Sequence, residues 1–172
     1  SYGGYRFEIV LLKGHTFGQC GLYEPQKKLM FVGDQLMTTI VPIVGTQETD
    51  LGMLKCYMNS LGELKHKYKD CYFLPCHYGE IKNVEKEVNR IIFGYMEKCE
   101  IMKHVLEEAG TALTTRDIGV RTYGRSQGPP DYAHFASCTQ IWAKTFSCME
   151  YMMGEGFIER SERDGIIYWK AL

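Results

Sequence analysis

Two histidines and an aspartate stand where their chemistry suits a metal: His15 in Gly14-His15-Thr16, Asp34 in Gly33-Asp34, and His77 in Pro75-Cys76-His77-Tyr78-Gly79. Imidazole nitrogen and carboxylate oxygen are the usual ligands of a catalytic zinc. None of the three has a ligand neighbour at short spacing, so they act together only if the fold gathers them. Each follows an apolar run that reads as a strand, and strand ends share one edge of a sheet, where distant positions converge. A plainer reading stands beside this one. A lone His in a turn is often a surface polar group, and Gly-Asp is a common turn pair. Cys20 and Cys76 flank the same edge and could add thiolate ligands, although a free Cys is most often a small core residue. His104, beside Lys103 on a helix, and His134, after Pro129-Pro130-Asp131, read as surface groups.

The elements that must position these residues are legible in the pattern. Apolar runs over 5–12, 19–23 and 28–32, separated by Gly- or Pro-containing turns, predict three strands. From 46 to 67, Leu51, Leu54, Met58, Leu61 and Leu64 recur at three- and four-residue spacing, which predicts an amphipathic helix capped by Thr49 or Asp50. Residues 71–74, ending in Pro75, predict a buried strand. A second helix is expected over 83–109, stopped by Gly110 and interrupted by Gly94. That interruption sets the expected domain boundary, with domains at 1–93 and 94–172. Beyond it, a short helix is expected at 114–120, a loop at 123–132 and a helix at 136–153 closed by Gly154. A hairpin should turn at Arg163-Asp164-Gly165, because Asp-Gly suits the positive φ of a type I′ turn. Helices followed by a hairpin is a winged-helix order.

Bulk composition excludes several classes. With 45% hydrophobic and 24% charged residues, the 172-residue chain can bury an ordinary globular core. A net charge of -1 points to no polyanionic partner. The seven cysteines are odd in number and include no CxxC pair, which argues for reduced thiols and a cytoplasmic setting. No apolar run approaches the ~18 residues of a membrane span. The chain begins with Ser rather than Met and reads as a trimmed or processed piece. From Thr111 to the end, seven basic residues balance seven acidic ones, and the 136–153 helix carries only Lys144 and Glu150 as charges. Phosphate contacts by Lys and Arg dominate DNA affinity, so DNA binding by the tail is disfavoured.

The run from Leu11 to Pro42, LLKGHTFGQCGLYEPQKKLMFVGDQLMTTIVP, resembles the central region of metallo-β-lactamase-fold hydrolases, with their Gly-His-Thr and Phe-x-Gly-Asp turns. The later LPCHYG, from Leu74 to Gly79, is similar to that family's Leu-Pro-Gly-His-Gly. The resemblance covers about residues 5–92 and implies an α+β chain: half of an αββα metallo-β-lactamase sandwich followed by a winged-helix-like tail. It implies that His15 ligates a first zinc, that Asp34 bridges two zincs and that His77 ligates the second. It places Thr16, Thr38, Thr39 and Tyr78 on the substrate side. The implied chemistry is hydrolysis of an ester, thioester, amide or phosphodiester by a metal-bound hydroxide.

The departures from that family are equally specific. The other ligands come from an upstream His-x-His-x-Asp-His motif, and no two of this chain's histidines, at 15, 66, 77, 104 and 134, are two residues apart. Phe17 replaces a Pro, Gln19 stands where His or Ser is frequent, and Cys76 and Tyr78 replace glycines around His77. The expectation is a fragment of a longer enzyme, inert alone. A lone half sandwich would also leave an apolar sheet face uncovered, at ~25 cal/mol per Å², so self-association into a homo-oligomer is expected. The competing expectation is a non-catalytic interaction or nucleic-acid-binding module on a decayed hydrolase fold.

Overall fold

The computed structural model describes residues 3–45, 52–124 and 132–172, the last stretch with side chains from Thr139 onward. The expected caps Thr49 and Asp50, most of the 123–132 loop and the side chain of His134 lie outside the described residues. The chain divides into two compact units, the first formed by residues 3–45 and 53–94 and the second by Gly52 and the described residues from 95 onward.

The first unit is built on four strands, β1 (Glu8–Leu11), β2 (Cys20–Glu24), β3 (Leu29–Gly33) and β4 (Tyr72–Pro75), ordered β1-β2-β3-β4. An eight-residue loop and a four-residue turn join the first three, which are antiparallel, whereas β4 lies parallel to β3. A parallel return needs a long crossover, and here helix α1 (Met53–Lys67) supplies it. Alternation along the strands sends Val10, Met30, Val32 and Phe73 to a buried face. Met53, Leu54, Tyr57, Leu61 and Leu64 of α1 are buried too, at the spacing of one helical stripe. The strands' other face is apolar and open. Ile9 pairs with Leu22 and Leu22 with Phe31, and all three are exposed, as are Leu11 and Tyr72.

Helix α2 (Val84–Ala109) starts where Asn83 Oδ1 accepts from the Lys86 N–H at 2.9 Å. It passes through Gly94 unbroken, which corrects the expected interruption. A glycine inside a helix costs only about 1 kcal/mol against alanine, too little to stop a long one. Its bare face also admits the Val41 side chain, whose Cγ2 would stand 3.3 Å from a Cβ there.

The second unit contains β5 (Leu113–Thr114), α3 (Thr115–Tyr123), α4 (Tyr132–Gly154), β6 (Ile158–Arg163) and β7 (Ile166–Ala171). β5 had no signal in the pattern, because two residues carry no period; pairing with Trp169 and Tyr168 of β7 makes it a strand. Thr114 and Asp117 form a reciprocal capping box at the start of α3. Arg163 pairs directly with Ile166, so Asp164 (φ 52°) and Gly165 (φ 72°) form the two-residue turn. Trp169 is fully buried and donates its indole N–H to Thr115 Oγ1 at 2.9 Å, with Cys148, Met149, Met152 and Ile118 also in this core.

Candidate metal centre

The parallel pairing of β3 and β4 does the first part of the assembly. Gly33 stands opposite Pro75, and the Cys76 N–H donates to the Gly33 carbonyl at 3.1 Å. The segments leaving both strands therefore start side by side, Asp34 from one and His77 from the other. Gly33 turns the chain at φ 57°, in the left-handed region that glycine enters at least cost.

His15 arrives from the loop after β1 and is tied down on several sides. Its N–H donates to Gln35 Oε1 at 3.3 Å, while Gln35 Nε2 donates to the Lys13 carbonyl at 3.2 Å. The amide of Gln35, fully buried and next in sequence to Asp34, thus grips the chain on both sides of Gly14. Ser60 Oγ donates to the same Lys13 carbonyl at 2.9 Å, and Tyr57 Oη donates to the Gln35 carbonyl at 2.8 Å. Burial holds the Tyr57 phenol well above its usual pKa, so it remains a donor at neutral pH. Gly14 lies against Tyr57 so closely that a Cβ would stand 2.3 Å from its Cδ2. Gln35, Tyr57 and Ser60 lacked a sequence signal, since nothing in a one-dimensional pattern marks a side chain that hydrogen-bonds a distant backbone.

The ring of His15 is oriented by a backbone carbonyl: Nδ1 lies 2.8 Å from the Ile43 oxygen. A carbonyl only accepts, so Nδ1 carries the proton and Nε2 of the neutral ring presents a lone pair. That Nε2 faces Asp34 Oδ2 at 3.7 Å, and His77 Nε2 faces the other oxygen, Oδ1, at 3.5 Å. Oδ1 is buried without a hydrogen-bond partner. An acceptor aimed at an acceptor, and a buried carboxylate oxygen without a hydrogen-bond partner, make a setting that suits a cation.

The donors are right in kind for zinc and short in number. Each carboxylate oxygen with its imidazole makes two ligands, whereas zinc takes at least three from protein in catalytic sites. Accordingly, no group of three or more His, Cys, Asp or Glu among the described residues is set to hold a metal ion. Cys20 and Cys76 are exposed free thiols rather than core residues. Of the expected substrate-side residues, Thr38 and Tyr78 meet, Thr38 Oγ1 donating to the Tyr78 carbonyl at 3.0 Å. Tyr78 adopts φ 68°, an unusual conformation for a residue with a side chain. Thr16 contributes its carbonyl to the His15 turn, and Thr39 is exposed on the 37–40 loop.

No family model matches the sequence, and no curated protein matches it. Solved structures do. A metallo-beta-lactamase family protein from Thermus thermophilus is 20% identical, with TM-score 0.80, over 99% of this chain and 51% of that one. A beta-lactamase domain protein from Burkholderia ambifaria is 18% identical, with TM-score 0.81, over 100% of this chain and 50% of that one. No helix among the described residues is long and apolar enough to cross a membrane. The chain spans about half the length of these two structures and, over that half, has their metallo-beta-lactamase fold.

Proposed function

We propose that this chain is the C-terminal half of a zinc-dependent hydrolase, contributing His15, Asp34 and His77 to a two-metal site whose other ligands come from a segment outside it. One observation carries the reading: the Asp34 carboxylate stands between two imidazole Nε2 atoms, one on each oxygen. In that disposition Asp34 could serve two metal positions, with His15 at one and His77 at the other. When bound, the metal supplies activation of water and polarisation of the substrate's carbonyl or phosphoryl oxygen. This chain's own work is positional. Ile43 fixes the His15 tautomer, Gln35 locks the His15 turn to the Asp34 turn, and Asp34 provides the negative charge that both positions share. With two donors per position, the isolated chain is inert.

The test uses the full-length chain containing this segment. Zinc content and hydrolysis of a panel of carboxylic ester, thioester, amide and phosphodiester substrates are measured in the wild type and in Asp34→Ala. The expected result is bound zinc, zinc-dependent turnover of at least one substrate, and loss of both in the variant. A wild type without zinc, or an Asp34→Ala variant indifferent in both measurements, removes the hydrolase reading.

The residues from 113 onward support a second, compatible role. A capped helix, a longer helix and a two-stranded hairpin whose inner strand also pairs with β5 support a winged-helix reading of this part. Its balanced charge favours an interaction or substrate-covering module over a DNA-binding one. The open apolar face of the first unit, with Ile9 77% exposed, supports self-association of this fragment. Sedimentation should show species larger than a monomer at micromolar concentration, and a well-behaved monomer would count against it.

A further inference from the structure

The two histidines of the candidate centre are held very differently. His15 is locked by buried groups on its own side of the site. His77 sits 60% exposed, on a loop whose next residue, Tyr78, has positive φ. A residue in that conformation persists when its surroundings hold it there. The described contact that does so is the bond from Thr38 Oγ1 to the Tyr78 carbonyl.

Thr38 is in turn placed by α2. Arg90 donates from one guanidinium nitrogen to the carbonyls of Met37, at 2.7 Å, and Ile40, at 3.1 Å. Those carbonyls bracket Thr38, so the guanidinium closes the 37–40 loop around it. Arg90 Nε is itself bound to Glu87 Oε2 at 2.8 Å, one helical turn earlier, which aims the fork. The chain of contacts therefore runs from Glu87 to Arg90, to the loop carbonyls, to Thr38, and across to the residue after His77.

We infer that Arg90 is a positioning residue for the candidate centre: through the 37–40 loop and Thr38 it sets where the His77 imidazole stands relative to Asp34. The inference deepens the proposed function and rests on it for its zinc arm, but not for its structural arm. The hydrogen bonds from Arg90 toward the site run to the loop carbonyls of Met37 and Ile40. Lysine cannot replace it, because a single ammonium does not reproduce a planar fork bound to Glu87 and two carbonyls together.

The experiment uses the full-length chain in four single variants, Arg90→Met, Arg90→Lys, Thr38→Val and Thr38→Ser, and in the double variant that combines Arg90→Met with Thr38→Val. The structural arm records the imidazole nitrogen and carbon-bound proton signals of His15 and His77 by NMR without metal. Arg90→Met, Arg90→Lys and Thr38→Val should move the His77 signals and leave those of His15 in place, and Thr38→Ser should keep the wild-type spectrum. The zinc arm measures affinity by chelator competition. Arg90→Met and Thr38→Val should each weaken the site by ~10-fold, as loss of a group orienting a ligand does. The double variant should lose little more than either alone, because both cut one path. Unmoved His77 signals in a folded Thr38→Val or Arg90→Met variant overturn the inference, as does an equal shift of His15 and His77. A wild type that binds no zinc, with His77 signals that still depend on Thr38, defeats the hydrolase reading alone.

Discussion

Replacement of Gly14 by alanine is the most demanding perturbation the geometry offers, because it acts on the turn that carries His15. The added methyl would lie 2.3 Å from Tyr57 Cδ2, 2.4 Å from its Cβ and 2.6 Å from its Cα. These separations are roughly 1 Å inside van der Waals contact. The obstacle is not the free end of a side chain but the backbone and root of a fully buried tyrosine, so it cannot rotate aside. The conformation is unfavourable as well, with φ at 147° in the region that side chains rarely enter. Overpacking costs about 1–3 kcal/mol and a strained backbone residue about 1–3 kcal/mol, so a loss of about 2–6 kcal/mol is expected. Against a total stability of about 5–15 kcal/mol this is severe. Urea unfolding of the full-length chain, followed by circular dichroism, measures it as a fall in midpoint at unchanged slope. Gly62→Ala is the internal control: it lies inside α1, nothing approaches its Cβ position within 4 Å, and it should raise stability by about 0.5–1 kcal/mol. Equal effects of the two substitutions, or a Gly14→Ala variant as stable as the wild type, would falsify the placement of the His15 turn against α1.

Tyr57→Phe keeps the ring and removes the donor to the Gln35 carbonyl. It should cost about 1–3 kcal/mol in the same urea titration, because a buried acceptor is left unpaired. Gly124 ends α3 at φ 66° with open space around its Cβ position. Gly124→Ala should therefore cost about 1 kcal/mol through backbone conformation alone, read as a lower melting temperature. The two tryptophans differ in environment, Trp169 being fully buried and Trp142 40% exposed. A Trp142→Phe variant should retain blue-shifted emission that moves to the red on unfolding, and a native spectrum already at the red limit would contradict the packing of β7.

The candidate centre divides cleanly into what could and could not be read in one dimension. His15, Asp34 and His77 were visible because their residue types and their places after apolar runs are local properties. That they share one carboxylate was implied only by the resemblance and by no local property, since it depends on Gly33 standing opposite Pro75 across a parallel ladder. The groups that hold them were invisible for a different reason. Gln35, Tyr57, Ser60 and Arg90 act on backbone carbonyls or N–H groups many residues away, and a backbone carbonyl has no sequence identity to match. Gly94 shows the converse error, in which a local helix-breaking preference of about 1 kcal/mol was outweighed by a long helix on both sides. Tyr78 combines the two: glycine would be the local choice at φ 68°, yet a tyrosine stands there, its carbonyl accepting a hydrogen bond from Thr38 Oγ1.

Sequence alone determined the elements whose signal is periodic or stereochemical. The three- and four-residue spacing in α1 marks a buried stripe, and Asp164-Gly165 marks a turn that only positive φ can close. Both depend on interactions within a few residues, where chain connectivity already brings the partners together. Tertiary structure decided everything that needs partners brought from afar: the β3–β4 register, β5 as a strand, the tautomer of His15 fixed by the Ile43 carbonyl, and the facing of two imidazoles on one aspartate. The physical reason is that hydrogen bonds and ion contacts act over about 3–4 Å, while the sequence orders residues only along the chain.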